Sequence, residues 1–142
     1  MARVEHDDLT VKQNDYAIFL PALSSFYGTF IGKQRVANDY VDPARMPAKL
    51  PDMENFNWFN TKEGVFTYKW SLYSAGHANL DVTVDSPKED MVRKREPGAW
   101  VLGDSGGFQI GKGVWEGDWK NPACPKAKKK REQVLAWMDA YM

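Results

Sequence analysis

The chain is poor in cysteine and has no long apolar run. Its 142 residues include one cysteine, Cys124, so no disulfide closes within it and no set of paired thiolates is available to hold a metal. No metal site is expected in these residues. A lone thiol agrees with a reducing compartment, and the cytoplasm is the expected location. The longest apolar run near the start, Tyr16 to Leu20, is far too short to span a bilayer. The charged opening, Glu5-His6-Asp7-Asp8, lacks the basic-then-apolar order of a secretory signal. Net charge is missing as well: 19 Lys and Arg balance 19 Asp and Glu, which excludes a global field drawing in polyanions. There is no internal repeat and no low-complexity tract. Aromatic surface is abundant, with six Trp and seven Phe in a chain that is 43% hydrophobic. That is enough for a core, and core packing is the expected fate of most of these rings.

Local pattern divides the chain as one unit, residues 1–142. Residues 1–14 read as a flexible lead. Tyr16 to Leu20 reads as a buried strand that Pro21 ends. Residues 22–32, aromatic and rich in Ser and Gly, suit a rim loop or a short helix. Residues 33–64 contain Pro43, Pro47 and Pro51 and read as a long irregular insertion. Val65 to Tyr73 alternates loosely and predicts a strand, with a helix running through His77 as the competing reading. Ser86-Pro87-Lys88-Glu89 is a helix start: Ser caps, Pro takes the first turn, and Glu sits where a capping box needs it. That helix is expected to run to about Glu96 and stop at Pro97-Gly98. Trp100 to Leu102 is the next strand. From Ala127 a last helix carries Val134, Leu135, Met138, Tyr141 and Met142 at helical spacing. Helix, turn, strand, loop, helix is the order of an α/β fold.

The most informative segment is Trp100-Val101-Leu102-Gly103-Asp104-Ser105-Gly106-Gly107-Phe108-Gln109-Ile110. An apolar strand ends in a carboxylate, a hydroxyl and two glycines, and an aromatic ring and an amide follow. The glycines let backbone approach a ligand closely. Asp104 can accept two N–H donors, Phe108 offers a flat face, and Gln109 can donate and accept. A flat hydrogen-bonding heterocycle such as a purine fits those groups.

The letters GDSGG also spell the nucleophile loop of chymotrypsin-like serine proteases, with Ser105 as nucleophile and His77 as base. The spacing excludes it. His77 and Ser105 stand only 28 positions apart, too few for the strands that intervene in that family. Its loop continues with Pro where this chain has Phe108. His77 is therefore read as a packed or surface histidine.

The six residues Asp104-Ser105-Gly106-Gly107-Phe108-Gln109 resemble the signature of the tRNA-guanine transglycosylase family, the base-exchange enzymes of queuosine and archaeosine synthesis, which has DNA-modifying and phage-borne relatives. Residues 1–95 do not follow the usual cellular enzymes, so the resemblance implies a divergent branch, with a lean toward the phage-type DNA-modifying relatives. It implies a (β/α)8 barrel with its site at the C-terminal ends of the strands. A complete barrel takes roughly 250 residues, so this chain is expected to be the N-terminal portion, incomplete and by itself inactive.

For the site, the resemblance implies that Asp104 is catalytic, hydrogen-bonding the base and acting as general acid and base. Phe108 should stack on the base, and Ser105, Gly106, Gly107 and Gln109 should shape the pocket. The implied partners are tRNA or DNA and a free 7-deazaguanine, with no membrane. The family's nucleophilic aspartate and zinc-binding cluster lie further along its chain and have no counterpart here. A different class of function stays open beside this one, a non-catalytic module that binds nucleic acid or nucleobase.

Two basic clusters complete the reading. Lys126, Lys128, Lys129, Lys130 and Arg131 crowd the start of the last helix, the end that favours negative charge. Phosphate binding and a solvated basic face stand even as explanations. Arg93-Lys94-Arg95 ends its helix, where positive charge belongs, and is read as structural. In Trp115-Glu116-Gly117-Asp118-Trp119-Lys120 the rings either gate the base pocket or pack the loop, with packing favoured.

Overall fold

Two five-residue runs with apolar side chains on both faces make the sheet. The computed structural model, which describes residues 19–36 and 41–142, pairs β1 (Trp70–Ser74) with β2 (Trp100–Asp104) in parallel, Trp70 opposite Trp100 and Ser74 opposite Asp104. On the other edge of β1 the Leu23 N–H donates to Leu72 O at 2.8 Å and the Leu72 N–H to Pro21 O at 3.0 Å. Residues 21–23 thus lie parallel to β1. Three extended segments neighbour one another in chain order. Between and after them come α1 (Ser25–Val36), α2 (Asp90–Arg93), α3 (Gly107–Gly111) and α4 (Pro125–Tyr141). The organisation is α/β.

One face of the sheet is covered. Ser71, Tyr73 and Val101 are buried, and Tyr73 and Val101 join Ile31 of α1, Met91 and Val92 of α2, and Val134 and Trp137 of α4 in the core. The Tyr73 and Trp137 ring centroids lie 6.0 Å apart. The other face is bare. Trp70 and Trp100 stack at 6.1 Å, and Trp100 and Leu102 remain 60% and 55% exposed. Parallel strands are normally covered on both faces, so this face is unusual.

Helix α1 reaches the core through two glycines. A Cβ on Gly32 would stand 1.5 Å from Pro87 O, and one on Gly28 3.4 Å from Lys88 O. The helix backbone therefore rests directly on the Pro87–Glu89 turn. The Tyr27 hydroxyl donates to Phe56 O, which ties α1 to the segment that follows it.

Several expectations are corrected. The strand expected over Tyr16–Leu20 falls mostly outside the described residues, as does the 1–14 lead. Sheet pairing instead appears at residues 21–23, because a proline at a sheet edge still offers its carbonyl. Residues 33–64 begin within α1 and then make two 3-10 turns, Pro43–Arg45 and Met53–Phe56. The second has a capping box, with the Glu54 N–H donating to Asp52 Oδ1 and the Asp52 N–H to Asn55 Oδ1. The Glu54 carboxylate then accepts from Arg35, Asn57 and Asn60. Near His77 the chain forms a turn rather than a helix.

The helix announced by Ser86 is shorter than expected. It is a 3-10 turn, Pro87–Glu89, running into α2, and it ends at Arg93. The Ser86 side chain makes no cap bond. Glu89 does not reach back to it, because its carboxylate is buried and accepts from the Tyr73 hydroxyl at 2.9 Å and the Asn79 N–H at 2.8 Å. In α4 the phase of the apolar stripe differs from the expectation. Trp137 is fully buried and Leu135 is 65% exposed, since Ala127, Val134, Trp137 and Tyr141 share one side of a 3.6-residue helix.

Candidate functional site

The in-register pairing of β1 and β2 brings Ser74 beside Asp104 at the C-terminal end of the sheet. The Ser74 hydroxyl donates to Asp104 Oδ2 at 2.8 Å, and the Gly106 N–H approaches the same oxygen at 3.3 Å. The Gly76 N–H donates to Ser74 Oγ at 3.2 Å, and the Ala75 N–H donates to Asp104 O at 2.8 Å. One carboxylate oxygen is therefore fixed by two donors. Asp104 is exposed. Among the described residues its other oxygen accepts no hydrogen bond and no cation pairs with it.

Gly106 makes this corner. Its φ of 78° lies in the left-handed region that glycine tolerates. That turn carries the chain from β2 into α3 and aims its N–H back at Asp104. A Cβ there would also stand 2.6 Å from the Trp115 ring and 3.1 Å from Gly76 N. Both conformation and space require glycine.

The other signature residues separate. Ser105 and Gly107 are exposed. Phe108 opens α3 with its ring 69% exposed and Lys112 Nζ 5.8 Å from the ring centroid. Gln109, expected to line a pocket, is 92% buried and packs against Gly76, where a Cβ would lie 2.0 Å from its amide carbon. Its Oε1 has no hydrogen-bond partner, and its carbonyl accepts from the Val114 and Trp115 N–H groups. Ser74 is the site residue that the sequence did not reveal. A lone serine 30 residues upstream of Asp104 carries no local signal.

Three cavities lie away from the Asp104 corner. A cleft of about 580 Å³ at the other end of the strands is lined by Trp58, Tyr68, Trp70 and Glu96. Two smaller ones, about 380 and 350 Å³, flank Arg93–Ala99 and the groove between Leu80–Val82 and α4. Asp104 and Phe108 line none of these three and are both exposed. Among the described residues no group of three or more His, Cys, Asp or Glu stands close enough to hold a metal. No helix among them is long and apolar enough to cross a membrane.

The basic cluster divides between two sides of α4. Lys126 pairs with Glu116 at 2.6 Å, which raises the lysine's pKa and lowers that of Glu116. Lys128 faces Glu132 at 3.9 Å. Arg131 donates to Pro122 O at 2.7 Å. Lys129 lines the groove beside Leu80–Val82, while Lys130 lies 5.2 Å from the Trp115 ring centroid, on the side of the Asp104 corner. The five expected phosphate ligands therefore do not form one patch. The second cluster is structural: Arg93 donates to Asn79, Asp81 and Val84 carbonyls, and Arg95 to those of Ala99 and Val92.

No protein-family model matches the chain, and neither a curated protein nor a solved structure matches it.

Proposed function

We propose that Asp104 is the base-gripping carboxylate of a transglycosylase that replaces guanine in tRNA or DNA by a 7-deazaguanine. The observation that carries this reading is the Asp104 corner. An exposed carboxylate at the C-terminal end of a parallel strand is held by one oxygen, and the exposed ring of Phe108 begins the helix that follows. The second oxygen is free for the N1–H and exocyclic amine of guanine. Residues at strand C-termini carry the chemistry in parallel α/β barrels.

The fold supports the reading in kind. Three parallel segments in chain order, with helices covering one face, are what the first units of a (β/α)8 barrel would present. The bare face bearing Trp100 and Leu102 then corresponds to the barrel interior. On this reading the chain is the N-terminal portion of the enzyme, and the nucleophile and any zinc belong to later strands.

The chemistry parallels retaining glycosyl transfer. The target nucleotide leaves its stack. A carboxylate attacks the sugar C1′, the C1′–N9 bond breaks, and guanine departs with the electron pair and takes a proton. The 7-deazaguanine then attacks C1′ through its own ring nitrogen, expels the carboxylate and gives up a proton. Asp104 hydrogen-bonds each base in turn, gives up the proton that the departing guanine takes, and receives the proton that the 7-deazaguanine loses. Its test is incorporation of labelled guanine into tRNA and into DNA by the full product of the gene. Asp104→Asn is expected to abolish incorporation. Unchanged turnover in that variant, or no incorporation by the unaltered enzyme into either acceptor, would overturn the reading.

A further inference from the structure

The loop after α3 places Trp115 against Gly106 of the Asp104 corner and Trp119 against Trp115, and the proposed chemistry uses neither. Residues 112–121 are mostly exposed, and Gly113 and Gly117 have φ values of 71° and 138°. A Cβ on Gly117 would lie 3.1 Å from Ala127 N, so the loop is seated against the start of α4. Within it Trp115 packs over Gly106. Trp119 stacks on Trp115 at 6.3 Å with 29° between the planes, and its indole N–H donates to Trp115 O at 3.0 Å. Lys130 adds its ammonium 5.2 Å from the Trp115 ring centroid. Trp115 is thus engaged by Gly106, Trp119 and Lys130. Trp119 is held by its partner, and among the described residues its outer face meets no other ring or cation.

We propose that Trp119 is a stacking platform for a nucleotide adjacent to the one held at Asp104, with Lys130 meeting the backbone phosphate. The partner is a single-stranded or locally opened polynucleotide. This rests on the base-exchange reading for the identity of the neighbouring site and goes beyond it by naming the form of the acceptor. An oriented ring loses little conformational freedom on binding, and base–aromatic stacking is available only to bases that have left a duplex. Charge supports the same partner. Residues 112–132 carry seven Lys and Arg against three Asp and Glu, while the rest of the chain carries twelve against sixteen. The neutral total hides a basic segment, of which Lys130 stands on the side of the site, and a polyanion is the partner that such charge attracts.

The test is binding of fluorescent twelve-nucleotide DNA and RNA strands, and of the matching duplex, to the 142-residue chain, read by anisotropy over a salt series. Single strands should bind more tightly than duplex. Trp119→Ala should weaken single-strand binding about tenfold, with Trp119→Phe retaining most of it. Lys130→Gln should reduce the salt slope by about one, and Trp119→Ala should leave that slope unchanged. Circular dichroism on each variant separates lost binding from lost fold. Strands without guanine should show the same dependence on Trp119, so a failure of base exchange leaves this proposal standing. It is overturned if duplex binds as well as single strands, if the folded Trp119→Ala chain binds undiminished, or if the unaltered chain binds no strand.

Discussion

Ser74 and Asp104, 30 residues apart in the chain, are joined by a 2.8 Å hydrogen bond across the C-terminal ends of two parallel strands. The bond sits at the rim, so its weight in folding is small. Its weight in orienting the carboxylate is larger, because the other donor, the Gly106 N–H, is 3.3 Å away. Ser74→Ala should lower stability by no more than about 1 kcal/mol, read by urea unfolding. It should lower kcat/KM for base exchange about tenfold, the consequence of losing roughly 1.4 kcal/mol of alignment. Ser74→Thr should restore most of it. An Ala variant with full kcat/KM would show that the serine does not orient Asp104.

Glycine substitutions should rank by what blocks the new methyl group. Gly32→Ala meets the Pro87 carbonyl at 1.5 Å, backbone on both sides, and should cost at least about 2 kcal/mol despite the better helix propensity of alanine. Gly76→Ala meets the end of the Gln109 side chain, which can rotate outward and recover solvation for its unpartnered Oε1. Its cost should be clearly smaller. Thermal melts of the two variants decide the order, and a more stable Gly32→Ala chain would show that α1 does not rest on that turn.

The Glu54 cluster should make the fold acid-sensitive. Partial burial works to raise the Glu54 pKa, and the bonds from Arg35, Asn60 and Asn57 outweigh it, so the folded value lies below the ordinary one. A depressed carboxylate contributes stability above its unfolded pKa, about 4.3, and that stability is lost as pH falls through the folded value. Glu54→Gln should flatten the stability profile below about pH 5, measured by urea midpoints. An unchanged profile would remove Glu54 from the account.

Cys124 should react as a thiolate at lower pH than an ordinary cysteine. It precedes α4, and contacts with the backbone at Ala127, Asp118 and Lys126 lower its pKa; the Asp118 N–H lies 3.3 Å from Sγ. The thiolate form is thus favoured by folding, and its small contribution is present above the unfolded pKa and fades as pH falls through the folded one. Iodoacetamide labelling of the folded chain should reach its half-maximal rate below the pH found for the urea-unfolded chain. The reverse order would contradict the placement of Cys124 against the α4 backbone.

Sequence alone was sufficient at several places where the physics is local. Gly106 and Gly107 after a carboxylate announced the corner, because a left-handed turn needs glycine whatever surrounds it. The apolar run Trp100–Leu102 announced β2, and the helical spacing of Val134, Leu135, Met138, Tyr141 and Met142 announced α4, although Leu135 faces outward. Tertiary structure alone determined which distant groups share a surface. Parallel register placed Ser74 on Asp104, and close packing turned Gln109 under Gly76. Those outcomes depend on contacts between segments tens of residues apart, and neither propensity nor periodicity carries information across that distance.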